Sequence, residues 1–128
     1  MENEQQELLF KLSMFEQQIR QVQQQINAVD EGISELEILN IGLNEIDDGK
    51  DKEIFAPVGR GIFVKAKVLS EKLSVDVGGK NFVKKSVPET QEMIKRQIEK
   101  LGEIKKELDG SLREITKEVE MLINENKS

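Results

Sequence analysis

The 128-residue chain contains no Cys, His, Trp or Tyr and only two Pro. Without Cys it has no disulfide scaffold, thiol nucleophile, iron–sulfur cluster or zinc finger. Without His it has no imidazole base, no Ser-His-Asp triad and no ordinary catalytic zinc site. Most general acid–base chemistry has thereby lost its tools, so no catalytic, cofactor-binding or metal-ligating residues are expected and the chain reads as a non-enzyme. No apolar run approaches the roughly 20 residues that span a bilayer. The opening MENEQQE is acidic and lacks the basic and apolar regions of a signal peptide, which points to an intracellular chain.

What is present is charge. Charged residues make up 34% against 37% apolar, lean beside the usual about 45–50% apolar, glycine included. The net charge of −6 argues against tight nucleic-acid binding over the whole surface. High charge with five Phe as the only aromatics fits a single domain dominated by long solvated helices.

The charge is unevenly spread. Residues 1–47 carry a net −8, residues 48–88 a net +4 and residues 89–128 a net −2. In the first segment Leu8, Leu12, Phe15, Ile19, Val22, Ile26, Val29, Ile33, Leu36, Asn40 and Leu43 follow a 4-3 spacing. That is a coiled-coil seam with one polar member. The helix should end near Asp47-Asp48-Gly49, where Gly supplies a left-handed stop. The last segment repeats the pattern through Ile94, Ile98, Leu101, Lys105, Leu108, Leu112, Ile115, Val119 and Leu122, with Lys105 its polar member. Ser86 and Glu89 form a capping box, with Pro88 in the first turn. Gly102 and Gly110 weaken this helix by about 1 kcal/mol each, tolerable only against a partner helix.

Between the helices the period changes to two. Glu53–Val58 and Ile62–Val68 flank Gly59-Arg60-Gly61, and Leu73–Val77 and Phe82–Ser86 flank Gly78-Gly79-Lys80-Asn81, giving two β-hairpins. Gly59-x-Gly61 lacks the third Gly and following helix of a phosphate loop and reads as a tight turn. Asp47-Asp48-Gly49-Lys50-Asp51 lacks calcium-loop spacing and reads likewise. The lysines of this segment lack the interleaved aromatics of a nucleic-acid surface.

The expected architecture is α+β: a long antiparallel two-helix coiled coil joined by two β-hairpins, with an intermolecular coiled coil as the structural alternative. The divisions are 1–48 for the first helix, 49–86 for the hairpins and 87–128 for the second helix. Four short strands cannot bury much core and their free edges invite pairing, so an oligomer held through the hairpins is expected. Apolar residues outside the seam supply the functional clue. Ile38, Leu39, Ile41, Ile46 and Met93 lie near the β segment, where they can cover the base of the sheet, and Ile104 lies mid-helix. Leu9, Phe10 and Met14 in the first helix, and Met121 and Ile123 in the second, instead meet at one tip of the antiparallel pair, with no sheet to cover. Exposed apolar patches mark interaction sites and Met adapts to varied partners, which points to binding of non-native protein. The alternative is a structural scaffold or adaptor with fixed native partners at the tip.

Coiled-coil helix, two hairpins and returning coiled-coil helix resemble the alpha-type subunits of prefoldin, the ATP-independent co-chaperone of archaea and eukaryotes. The resemblance lies most specifically in Ile33-Ser34-Glu35-Leu36-Glu37-Ile38-Leu39 and in Pro57-Val58-Gly59-Arg60-Gly61-Ile62-Phe63-Val64-Lys65-Ala66. Ser74-Val75-Asp76-Val77-Gly78-Gly79 is similar to the family's second hairpin, with Asp76 a departure. The resemblance implies a cytoplasmic hetero-hexamer of two alpha-type and four beta-type subunits, whose hairpins join into an oligomeric β-barrel platform. Beta-type subunits have one hairpin, so two favour the alpha type. It also implies capture of non-native proteins at the arm tips and delivery to a group II chaperonin, with no nucleic acid or membrane as partner. The implied client-binding tip is Leu8, Leu9, Phe10, Leu12, Met14, Phe15, Val119, Met121, Leu122 and Ile123. The expected assembly platform is Ile54, Phe55, Val58, Ile62, Val64, Val68, Val75 and Val77.

Overall fold

Two helices and four strands organise the chain in the computed structural model, which describes residues 2–47 and 49–126. In order they are α1 (Glu2–Ile46), β1 (Glu53–Gly59), β2 (Ile62–Lys67), β3 (Lys72–Asp76), β4 (Phe82–Ser86) and α2 (Val87–Glu125). They divide into two compact units, one of residues 2–34 with 99–126, the other Glu35–Ile98. No described helix is long and apolar enough to cross a membrane.

In the first unit the heptad line decides which residues are covered. Leu8, Leu12, Phe15, Ile19, Val22, Ile26, Val29 and Ile33 are half-buried, and every other α1 residue of this stretch except Gly32 is exposed. Leu101, Lys105, Leu108, Leu112, Ile115, Val119 and Leu122 are half-buried on α2. The two segments run antiparallel. A Cβ on Gly32 would stand 3.4 Å from Leu101, Asp30 lies 2.8 Å from Lys105, and Phe15 shares a groove with Met121 and Leu122. Two helices alone cover only one stripe of each other, so these seam side chains stay part-exposed instead of forming a closed core.

The second unit holds the buried residues. Leu43, Val87 and Ile94 form a small core, packed by Leu36, Ile46, Leu73 and Ile98. Asn40, the polar seam member of α1, is met by Gln91, whose Nε2 donates to the Asn40 carbonyl at 3.2 Å and to Asn44 Oδ1 at 2.7 Å. The start of α2 is capped as its sequence predicts. The Glu89 backbone N–H donates to Ser86 Oγ at 3.2 Å, and the Ser86 hydroxyl donates to Glu89 Oε1 at 3.0 Å. At the other helix end the Gly49 N–H donates to the Ile46 carbonyl at 3.2 Å. Gly49 does not adopt the left-handed backbone expected of a helix stop; a Cβ on it would approach that oxygen to 3.0 Å, so close packing favours glycine there instead. Asp48 lies outside the described residues.

The hairpins are two separate two-stranded antiparallel sheets, β1–β2 and β3–β4. β1 reaches Gly59 through a bulge between Pro57 and Gly59, which accommodates the proline. β2 and β3 stop one residue short of Val68 and Val77, whose N–H groups close the flanking turns onto Lys52 and Asn81 carbonyls. Both turns use left-handed backbone: Gly61 and Arg60 in the first (φ 78 and 50), Gly79 and Lys80 in the second (φ 59 and 61). Asp76 has its own task, since its Oδ1 accepts the Gly78 N–H at 2.9 Å and pins the start of the second turn.

Candidate functional site

Apolar side chains stand in solvent at several places, Ile38, Leu39 and Ile41 of α1 among them, and two of these surfaces hold the residues singled out from the sequence. The first lies at one end of the 2–34/99–126 unit, where residues 8–15 of α1 run beside 115–123 of α2. The ten tip residues singled out from the sequence divide there by heptad position. Leu8, Leu12, Phe15, Val119 and Leu122 are on the seam and half-buried. Leu9, Phe10, Met14, Met121 and Ile123 are off the seam and exposed, Phe10 to 67% and Met121 to 62%. The seam members therefore hold the pair together and the off-seam members face outward. Clustered exposed apolar side chains of this kind mark interaction surfaces.

An open groove of about 350 Å³ crosses this end, lined by Lys11, Phe15, Glu118, Met121, Leu122 and Glu125. A smaller one lies beside it, with Glu4, Glu7 and Leu8 on one wall and Leu122 on the other. Its geometry suits an extended or helical apolar segment, and its lining is partly charged. Counting apolar residues misses these acids, although the charge run of residues 2–7 is their signal in the sequence.

The second surface is the pair of hairpins. In β1–β2, Ile54 pairs with Ala66 and Ala56 with Val64 on one face, while Phe55 pairs with Lys65 and Pro57 with Phe63 on the other. Ile54 and Ala66 are half-buried, but Phe55, Val58, Ile62, Phe63 and Val64 are exposed. Phe55 thus stands on the face opposite Ile54 and Val64, and this sheet carries apolar side chains on both faces. Lys65 reaches Glu53 at 3.0 Å on the aromatic face. In β3–β4, Val75 pairs with Val83, with Val75 half-buried and Val83 exposed. Val68 is half-buried beside the sheet and Val77 is 54% exposed. Among the described residues no strand ladder covers the outer edge of any of the four strands.

Ser86, through its hydroxyl first and its backbone second, holds the Glu89 carboxyl below the usual carboxylate range, with Lys72 and Lys85 adding to the effect. The hydrogen bond to Asp30, then its charge, raises Lys105 above the ordinary lysine value, reinforced by Asp109.

Known proteins share this arrangement. A family model described as prefoldin subunit matches residues 15–127. Prefoldin subunit alpha of Methanobrevibacter smithii is 34% identical over 107 residues, covering 83% of this chain and 68% of that protein. Prefoldin subunit alpha 1 of Methanocaldococcus jannaschii is 33% identical over 115 residues, covering 89% of this chain and 79% of that one. A chain of the cryo-EM structure of filamentous PFD from Methanocaldococcus jannaschii superposes with a TM-score of 0.79 at 26% identity, over 89% of this chain and 96% of that one. The two seam-bearing helices, the paired hairpins and the span of these matches lead to one conclusion: the chain belongs to the prefoldin subunit family, with its curated relatives among the alpha subunits.

Proposed function

We propose that this chain is an alpha-type subunit of an ATP-independent co-chaperone that captures non-native proteins at its helical tip and delivers them to a group II chaperonin. The observation that carries the reading is the five exposed off-seam residues, Leu9, Phe10, Met14, Met121 and Ile123, seated on a half-buried seam. Phe10 and Met14 supply adaptable apolar contact without a deep pocket, which suits clients of no fixed shape. Each tip offers weak contacts, and several tips in one assembly retain a client by avidity. Holding of this kind needs no nucleotide and no catalytic step.

The hairpins serve assembly in this reading. Ile54, Phe55, Val58, Ile62, Val64, Val68, Val75 and Val77 contribute the platform, joined by beta-type subunits in a hexamer of two alpha and four beta in the cytoplasm. The exposed apolar residues on both faces of β1–β2 and the free strand edges support it. The division of labour is 1–48 and 87–128 for the arm and 49–86 for the platform.

The test mixes the chain with a beta-type subunit and follows two readouts. Native mass is expected to report a hexamer, and the assembly to suppress aggregation of a denatured protein without nucleotide. Binding of one defined folded partner with no suppression of aggregation would replace this reading with that of an adaptor.

A further inference from the structure

The net charge of the chain sits where the exposed groove is. Residues 2–16 carry four acids against Lys11, and residues 113–125 carry four acids against Arg113 and Lys117, a net −5 out of the chain's −6. The Glu35–Ile98 unit, by contrast, holds eleven acids and eleven bases. The groove is lined by apolar Phe15, Met121 and Leu122 and by charged Lys11, Glu118 and Glu125, the two acids exceeding the one base. Among the described residues no base lies within ion-pair distance of Glu7, Glu118 or Glu125, whereas Glu16 is spoken for by Arg20. An apolar lining with an excess of acid discriminates by charge as well as by hydrophobicity, because an acidic segment would meet uncompensated carboxylates.

We propose that this groove selects segments of non-native polypeptide that carry Lys or Arg among their apolar side chains, and disfavours acidic segments of equal hydrophobicity. The inference rests on the tip-capture reading above and names its substrate class. Apolar side chains pack beside Phe15 and Met121, and the basic side chains lie over Glu118 and Glu125 in solvent. Exposed pairs of this kind are individually weak and salt-sensitive. The selectivity is therefore a modest bias on affinity and encounter rate, without a lock-like specificity.

The test uses three unstructured fluorescent peptides of identical apolar content, one bearing Lys, one Ser and one Glu at the intervening positions. Each is titrated with the full chain and followed by anisotropy. The Lys peptide is expected to bind about fivefold more tightly than the Ser peptide at low salt. The Glu peptide should bind more weakly than both, and the differences should collapse at about 1 M salt, where the screening length is about 3 Å. In the double variant Glu118→Gln, Glu125→Gln the Lys-to-Ser ratio should fall toward one, and in Lys11→Glu it should rise. If no peptide binds, the tip-capture reading falls and this inference with it. If the Ser peptide binds but the Lys peptide gains nothing, or the Glu peptide is preferred, capture stands and the charge selection is overturned. A ratio that survives in the Gln variant likewise overturns it, since the groove acids would not be its source.

Discussion

Lys105 Nζ lies 2.8 Å from Asp30 Oδ1, joining the one charged residue on the α2 seam to an acid beside the α1 seam. The pair sits one turn from the close approach of Gly32 and Leu101, where the segments are pinned by shape. A polar residue on an apolar seam costs stability but fixes which residues face each other. Because Asp30 raises the Lys105 value, the lysine's contribution is complete at neutral pH and is lost as pH rises through the raised lysine value. Lys105→Leu is therefore expected to raise the thermal midpoint while allowing mismatched pairing between chains. Circular dichroism melting and sedimentation check the two halves of this statement. A lower midpoint for Lys105→Leu would mean that the half-exposed pair outweighs the apolar contact it displaces.

The small core makes a sharper contrast. Ile94 is 1% exposed between Leu43 and Val87, whereas Ile104 on the same helix is 44% exposed. Ile94→Ala should cost about 2–5 kcal/mol and Ile104→Ala well under about 1 kcal/mol. Urea unfolding at fixed protein concentration measures both, and equal losses would show that Ile104 is covered in solution.

Much of this was legible in the sequence because the physics is periodic. The seam positions of α1, from Leu8 to Leu43, are all half-buried or buried in the structure, since a 4-3 spacing leaves no other stripe to cover. The hairpins were legible through their glycines and alternation, and the α2 cap through Ser86 and Glu89. Contacts without a period were not. Gln91 meets Asn40 across 51 residues, and Asp30 resembles any solvated acid until the helices are brought together. Asp76 reads as a departure from the family pattern until its Oδ1 is seen to accept the Gly78 N–H. Counting off-seam apolar residues picks out Leu9, Phe10, Met14, Met121 and Ile123, all exposed in the structure, but gives no weight to the acids around them, because charges on a helix surface are the ordinary case.

Backbone conformation gives a pair of stabilising changes. Arg60 holds φ 50 in the first hairpin turn, where a side chain costs about 1–2 kcal/mol. A Cβ on Gly110 would meet nothing within 4 Å in α2. Arg60→Gly and Gly110→Ala should each stabilise the chain by up to about 1 kcal/mol. Gly61→Val, at φ 78, should destabilise it. Thermal melts of the three variants decide, and a stabilised Gly61→Val would contradict the turn geometry.

The α2 cap predicts a pH dependence. Ser86 holds the Glu89 carboxyl below its ordinary range, so the folded state favours the ionised form. Stability from this group is present above the unfolded carboxylate pKa, about 4.3, and is lost as pH falls through the lower folded value. Glu89→Gln should thus melt below the parent at neutral pH, with the gap closing in acid. A gap that widened on acidification would reverse the sign and remove the cap as its cause.

The most direct test of tip capture replaces Phe10, Met14 and Met121 with Ser in one chain. All three side chains are off the seam and exposed, so the helix content and thermal midpoint should stay close to the parent's. Mixed with a beta-type subunit, the variant is expected to form the same oligomer as the parent and to lose most of the parent's suppression of aggregation of a denatured protein without nucleotide. Full suppression by a correctly assembled variant would contradict the account, because the client would then be held elsewhere.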